Sequence, residues 1–365
     1  MFYNRIKNTK PFIIYNQKNI INKISQWHTL LPNVKPYYAL KCNPDKNIIK
    51  LVNSYNINFD CASKNEIKQI ITQNIDPSRI IFANPIKMIN HIDYAYKNNV
   101  DLMTFDSYEE LKKISYYHKN ARLIIRIKVD DSKSILKFNS KFGVALNDCY
   151  KLLKYAHDLQ LNVVGVSFHV GSRCSDNNVY YNALNATRQV YNMALSLDYK
   201  LGIIDIGGGF PGSNDIEFTN MAHTISRGIN DHFKNIKINF IAEPGRYFVE
   251  SAYILVAQVI GKKIIVENNQ KKIIYYISEG IYGAFNNIIT DHYKPEILTL
   301  SKKEKYLSTV FGPTCDSLDC IGQDILLPEL EINDILYVKN MGAYTTSCAT
   351  SFNGFKPAKV KYIIN

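Results

Sequence analysis

Eight short runs decide how the chain reads: KPYYALKC (35–42), NFDCAS (58–63), RIIFANP (79–85), DLMTFDS (101–107), RLIIRIKV (122–129), VVGVSFHVGS (163–172), GIIDIGGGF (202–210) and NFIAEPGRYF (239–248). Each is rich in β-branched and aromatic residues, and longer segments of helical periodicity separate them, the alternation expected of repeated βα units around a parallel sheet. After NFDCAS, for instance, Ser63 is placed to cap a helix over 63–74, and Glu66 three residues on can complete a capping box. Eight strands with intervening helices favour an α/β fold of the closed (β/α)8 TIM-barrel type over an open doubly wound sheet. Polar residues fall at the run ends: Lys41, Asp60, Asn84, Asp106, Arg126, His169, Ser172, the Gly207–Gly209 turn, Glu243 and Arg246. In a barrel those ends converge on one mouth, the side on which barrel enzymes carry out their chemistry.

The barrel is expected over residues 17–250. Beyond it the pattern changes to short alternating or apolar runs (252–260, 272–278, 306–312, 335–339 and 359–363) without long helical stretches, which reads as a C-terminal β-rich domain over 251–365. The N-terminal segment 1–16, with PFIIY at 11–15, is expected to join that sheet. A length of 365 residues fits two domains, at roughly 150 residues per domain. With 46% apolar and 21% charged residues, disorder is excluded as the main state. The net charge is +12, but the lysines are dispersed with no run longer than a pair, so a solvated basic surface is expected rather than nucleic-acid binding. The 7 cysteines are scattered without CxxC pairs or Cys/His clusters, which argues against a zinc site or a disulfide framework and for a reducing compartment. No stretch approaches the roughly 18 apolar residues of a membrane span, and the N-terminus lacks a signal-peptide core, so a cytoplasmic protein with no membrane partner is expected.

Several residues can carry chemistry. Lys41 lies among apolar and aromatic residues, where desolvation would lower its pKa and free the amine for Schiff-base formation; a snorkelling lysine at a strand end is the plainer reading. DIGGGFPG (205–212) can close backbone N–H groups around an anion such as phosphate, or can be a tight turn. It is not a dinucleotide fingerprint, because the GxGxxG spacing is absent. Ser172 and Arg246 at neighbouring strand ends strengthen the phosphate reading. Glu243 can hold a pyridine nitrogen in its protonated form or pair with Arg246, and His169 can stack on a planar cofactor or fill the core. In the second domain FGPTCDSLDC (311–320) gathers Cys315, Asp316 and Asp319 in a turn, and MGAYT (341–345) and SFNGF (351–355) follow.

Taken in order, YYALKCN, NFDCASKNEI, RIIFANPIK, TFDSYEEL, VDDSKS, KFGV, VSFHVGS, DIGGGFPG, AEPGRYF, GIYGAFN, GPTCDSLD, MGAYT and SFNGF resemble the eukaryotic-type ornithine decarboxylase family, pyridoxal 5'-phosphate enzymes of the alanine-racemase-like class. The resemblance spans nearly the whole chain and implies a barrel plus a β-domain. It implies that Lys41 binds the cofactor covalently, that His169 stacks on its ring and that Glu243 partners its nitrogen. Ser172, Gly207, Gly208, Gly209, Arg246 and Tyr344 would grip the phosphate, with Asp60, Arg126 and Gly245 also at the cofactor. Cys315 would reprotonate the substrate carbon after CO2 leaves, and Asp291 and Asp316 would receive the substrate's terminal amine, with Tyr282 and Phe352 lining the same site. In the family Cys315 and Asp316 serve the other subunit of a head-to-tail homodimer. The implied reaction is decarboxylation of L-ornithine to putrescine, the first step of polyamine synthesis, with L-arginine or L-lysine as alternative substrates. Relatives that act on arginine carry glutamate where Asp291 stands, so aspartate implies ornithine. Thr290 replaces an aromatic residue common in the family, a departure that bears on substrate preference. An inactive regulatory homologue of the antizyme-inhibitor type is the alternative of another class; retention of Lys41, the glycine triplet, Glu243 and Cys315 argues against it. The chain ends soon after SFNGF, so turnover driven through a C-terminal degradation tail is not expected from the resemblance.

Overall fold

A computed structural model describes residues 10–174, 176, 178–267 and 270–363, so the first nine residues of the expected 1–16 segment and the last two of the chain lie outside the described residues. The chain forms two compact units, one of Lys23–Tyr247 and one joining the residues up to Asn22 to those from Phe248 onward.

The strand β1 (Phe12–Asn16) belongs to the second unit. The first unit is a closed barrel of eight parallel strands: β2 (Val34–Ala39), β3 (Asn58–Cys61), β4 (Ile80–Phe82), β5 (Leu102–Phe105), β6 (Arg122–Arg126), β8 (Asn162–Ser167), β10 (Ile203–Asp205) and β11 (Asn239–Ala242), in chain order around the ring with β11 closing on β2. Each of the eight runs supplies one strand. Most strands are shorter than their runs: residues such as Lys41, Asp106, His169 and Glu243 follow the strand ends, whereas Asp60 and Arg126 stand in the last two residues of β3 and β6. The barrel interior is filled by Tyr37, Ile81, Ala83, Leu102, Ile124 and Ile241, with Val164 and Ile203 packed on them. The barrel is therefore a packed core rather than a pore, and the polar strand ends sit above an apolar floor. Two short strands the sequence did not announce, β7 (Ser134–Leu136) and β9 (Ser172–Cys174), pair antiparallel in the loops above the barrel.

Local chemistry fixes the helices. The helix expected over 63–74 runs from Lys64 to Ile71, and its apolar face buries Ile67 and Ile70. Ser63 Oγ accepts the Glu66 N–H at 3.3 Å. The reciprocal bond of a capping box goes one residue further back than expected, from the Ala62 N–H to the Glu66 carboxylate at 2.5 Å. The helix stops short because Asn74 adopts φ +58°, outside the helical region.

The second unit is a sheet in the order β14 (Leu298–Thr299), β17 (Ile335–Val338), β12 (Tyr253–Glu267), β13 (Gln270–Ile277), β15 (Lys305–Phe311) and β16 (Cys320–Pro328), in which β1 pairs antiparallel with β12 and parallel with β18 (Lys359–Ile363). The strands β14 and β16 were not among the expected runs. The first is only two residues long, and the second is an edge strand interrupted by polar Gln323 and Asp324, so neither shows a clean alternation. None of the 7 cysteines is bonded to another, and no helix among the described residues is long and apolar enough to cross a membrane.

Candidate active site

The β2 strand ends in a 3-10 turn, Leu40–Cys42, that presents Lys41. The turn is pinned from below, where the buried Tyr38 hydroxyl donates to the Asn43 carbonyl at 2.7 Å. It is pinned from the side as well, because a Cβ at Gly245 would stand 2.8 Å from Cys42 Cβ and 3.2 Å from Ala39 Cβ. Gly245 thus lets the end of β11 pack against the lysine turn, a role in packing beside the cofactor role the resemblance gives it. Lys41 Nζ meets Asp60 Oδ2, at the end of β3, at 2.9 Å. The lysine side chain is 44% exposed and the aspartate 1% exposed, so an opposite charge surrounds the amine where apolar burial was expected. The second oxygen of Asp60, Oδ1, is buried without a hydrogen-bond donor.

Around the same mouth, Arg126 ends β6 and lies over the Phe142 ring at 5.0 Å. Burial lowers its pKa, opposed chiefly by the carboxylates of Glu243, Asp106 and Asp205. Asp106 accepts the Gly143 N–H at 2.7 Å, and burial raises its carboxyl above the usual range. His169 follows β8 and meets the edge of Phe138 at 4.9 Å between centroids. Burial, with help from Arg126 and Lys41, drives its pKa well below the ordinary histidine value. The imidazole is neutral, and because Nδ1 accepts the Gly171 N–H at 3.0 Å its proton belongs on Nε2. Glu243 follows β11 and is 9% exposed; burial first, then the neighbouring Asp205 and Asp60, raises its carboxyl well above the usual range.

The glycine turn connects these groups. Gly207 and Gly209 adopt φ +67° and +105°, which side chains rarely tolerate, and a Cβ at Gly208 would stand 3.0 Å from His169 Nε2. The result is bare backbone facing the imidazole. Ser172 sits on β9 opposite Leu136, and Arg246 is buried at the start of a short helix, Arg246–Val249. An amine, a neutral imidazole, a carboxyl that burial and neighbouring acids make reluctant to ionise, and a side-chain-free turn at one mouth fit a planar, phosphate-bearing pyridine aldehyde such as pyridoxal phosphate. A broad cleft of about 1120 Å³, lined by Val34, Tyr37, Arg122, Ile203 and Phe240 among others, lies at the opposite ends of the barrel strands, and none of these site residues lines it.

The remaining expected residues lie in the second unit. Tyr282 donates its hydroxyl to Asp316 Oδ2, which holds the Asp316 carboxyl below its usual range. Phe352 packs on Tyr282 at 4.3 Å between ring centroids. Cys315 is exposed, and both its N–H and its thiol reach Asn353 Oδ1, at 3.2 and 3.3 Å. Asp291 is buried at 2% exposure, while Thr290 is exposed and turns its hydroxyl back on the Asn286 carbonyl at 3.0 Å. Tyr344 is half-buried with φ +54°. The structure therefore gathers Tyr282, Asp316 and Phe352 into one contact set and Cys315 onto Asn353.

Three acids in the barrel mouth were given no site role by the sequence reading: Asp205, Asp106, which was nevertheless expected at the mouth, and Glu66. Glu66 is half-buried with a raised pKa, and Asp60 and Lys41 act on it. The first two stand at strand ends as structural turn residues do, and Glu66 was absorbed by its capping role, so only their gathering at one mouth distinguishes them.

Residues 17–250 match the family model for the pyridoxal-dependent decarboxylase, pyridoxal binding domain. The chain is 44% identical over 365 residues to a probable ornithine decarboxylase of Dictyostelium discoideum, covering 96% of this chain and 79% of that protein. It is 43% identical over 366 residues to antizyme inhibitor 2 of Xenopus laevis, covering 96% and 80%. Its structure superposes on the arginine decarboxylase of Paramecium bursaria Chlorella virus bound to agmatine with a TM-score of 0.94, at 39% identity and covering 99% and 98% of the two chains. The chain belongs to the pyridoxal-dependent decarboxylases of the ornithine and arginine type, and its cofactor is pyridoxal phosphate.

Proposed function

We propose that the chain decarboxylates a basic L-amino acid, L-ornithine first, to putrescine and CO2. The observation that carries this reading is the grouping at one barrel mouth of Lys41 paired with Asp60, neutral His169 and the buried Glu243 carboxyl with its raised pKa. When bound, pyridoxal phosphate supplies an electron sink for the pair left as the Cα–carboxylate bond breaks. Lys41 would hold it through its amine, and Asp60 would keep that amine oriented. The Gly207–Gly209 backbone, Ser172, Arg246 and Tyr344 are assigned to its phosphate. Glu243 holds a proton for the ring nitrogen, and a neutral imidazole at His169 packs on the ring without adding a competing charge.

For the β unit we assign Asp291 and Asp316 to the substrate's terminal ammonium, where charge-assisted hydrogen bonds are roughly twice as strong as neutral ones. Tyr282 keeps Asp316 ionised for that task. The Cys315 thiol is assigned to deliver the proton to Cα. These groups are offered to the barrel of a second copy in a homodimer. A cytoplasmic location is part of the same reading. Asp291, an aspartate, favours ornithine over arginine. Against a purely regulatory role, which the antizyme-inhibitor relative brings to mind, stands the presence of Lys41, Glu243 and Cys315 together.

The test measures CO2 release from L-ornithine, L-arginine and L-lysine by the purified chain supplied with pyridoxal phosphate, with Lys41→Ala as control. Release from ornithine above the other two, abolished in Lys41→Ala, is expected. Preference for arginine would overturn the substrate assignment, and a protein that binds the cofactor but releases nothing would favour the regulator. Mixing Lys41→Ala with Cys315→Ala protein should restore partial activity if subunits exchange.

A further inference from the structure

Asp205 is buried at 1% exposure at the end of β10. None of the roles assigned above uses it. Its Oδ1 accepts the Gly207 N–H at 2.9 Å, closing the first residue of the glycine turn onto the strand that precedes it. The same Gly207 presents its carbonyl to the Glu243 N–H at 2.7 Å. The carboxyls of Asp205 and Glu243 are close enough to act on each other, Asp205 raising the hold of Glu243 on its proton, and Asp205 Oδ2 is buried without a hydrogen-bond donor.

The contacts thus form a continuous path: Asp205 to the Gly207 N–H, and the Gly207 carbonyl to the Glu243 N–H. We propose that Asp205 is a positioning residue that, through these two hydrogen bonds, holds the glycine turn and Glu243 in one fixed register, so that the grip on the cofactor's phosphate and the contact to its ring nitrogen form as a unit. The inference rests on the reading of Glu243 as the partner of the ring nitrogen.

The charged and titratable groups that face the pair are Asp60, Lys41, Arg126 and the phenol of Tyr37. Asp60 adds negative charge, while Lys41 and Arg126 oppose it. Burial is the largest cause of the raised pKa of both carboxyls. Neutralising Asp205 removes the first-ranked charge that acts on Glu243, so Glu243 then loses its proton at a lower pH.

The test uses the full chain. Infrared difference spectra across pH read the carbonyl band of a buried protonated carboxyl, assigned by its loss in Glu243→Gln, and equilibrium dialysis reads the affinity for pyridoxal 5'-phosphate. Asp205→Asn keeps an oxygen for the Gly207 N–H while removing the charge. It should move the titration of the Glu243 band down by about one pH unit or more, the size expected for loss of a neighbouring buried charge, and weaken cofactor binding only about threefold, as a neutral acceptor replaces a charged one. Asp205→Ala, which removes the acceptor of the Gly207 N–H, should weaken cofactor binding by about tenfold or more.

An Asp205→Asn protein whose Glu243 band titrates unchanged overturns the inference, and so does a folded Asp205→Ala protein with undiminished cofactor affinity. If the unaltered protein binds no pyridoxal phosphate, the functional reading fails together with the inference. If it binds normally and only the variants disagree, the inference alone fails.

Discussion

Replacing Glu110 by alanine should be among the most damaging single changes in the barrel. Glu110 lies in the helix Tyr108–Tyr117, behind the end of β5, and is 0% exposed. Its Oε1 meets Lys87 Nζ at 2.9 Å, with Lys87 also 0% exposed, and its Oε2 meets Lys113 Nζ at 2.6 Å. Without Glu110, the Lys87 ammonium keeps no anionic partner at hydrogen-bond distance among the described residues: it retains the carbonyls of Thr104 and Asn84, at 2.7 and 3.2 Å, and the Phe82 ring at 5.7 Å. Burial already lowers the Lys87 pKa, and Glu110 is the largest influence opposing that. Breaking one side of a fully buried pair costs about 3–5 kcal/mol, because a charge is left without its partner. Against a total stability of about 5–15 kcal/mol, and at about 2–4 °C per kcal/mol for a unit of this size, the melting temperature should fall by about 6–20 °C. The pair itself is a different quantity from the cost of breaking it. Lys87→Met combined with Glu110→Leu removes both charges and fills similar volume, and should recover most of the loss; Lys113, 27% exposed, can turn to water. Thermal unfolding followed by circular dichroism on the unaltered protein, the two single variants and the double variant closes the cycle. A Glu110→Ala protein melting within about 2 °C of the unaltered one, or a double variant no better than that single one, would refute the reasoning.

Gly207→Ala should disable the glycine turn, because φ is +67° there and the added Cβ would stand 2.3 Å from the Phe168 carbonyl oxygen, a backbone atom that cannot rotate away. Affinity for pyridoxal phosphate, read by equilibrium dialysis, should drop about tenfold or more, and unchanged affinity would show that this turn does not carry the anion. In the second unit, Glu279 is 5% exposed, and its Oε1 accepts the N–H groups of Gly280 and Ala284 at 3.0 and 3.2 Å. Burial, with a smaller push from Asp319, raises its pKa from 4.5 to about 7. The folded state therefore binds this proton more tightly than the unfolded state, so its stabilising effect is complete below pH 4.5 and is lost as the pH rises through about 7. Glu279→Gln should flatten the fall in melting temperature over that window, and an equally steep fall in the variant would mean that another group is responsible.

The sequence showed the barrel plainly because each of its strands is a β-branched and aromatic run set between helices of different period, and because the chemistry-bearing residues stop each run. It showed the edges of the β unit poorly. The strand β16 carries Gln323 and Asp324 in mid-strand, where one face meets solvent, and β7 and β9 exist only as a pair, with no pattern that either could show alone. At the site, residue identity was legible and environment was not. Lys41 was expected to be desolvated by its apolar neighbours YYAL, yet those side chains point into the barrel and its core while the turn lifts the amine toward Asp60, 19 positions further along. A partner so distant leaves no local signal.

The same limit explains why the acids of the mouth read as unrelated. Asp60, Asp106 and Asp205 stand at strand ends and Glu66 starts a helix; the sequence placed Asp60 at the cofactor and Asp205 at the head of the glycine motif, but only Glu243 had a proton-holding role suggested for it. Brought together, these five carboxyls face Lys41 and Arg126, with Lys87 acting on Asp106 but already paired with Glu110, so ionising all five at once would leave a large unbalanced charge in a partly buried place. Some of them must keep protons, and the one retained most firmly belongs to Glu243, which is deep and has two acids beside it. A ring nitrogen that is to stay protonated would need an ionised carboxylate to accept its N–H, so Glu243 would pass its proton to the ring, and the negative charge of the acids around Glu243, and not Glu243 alone, would then favour the protonated nitrogen.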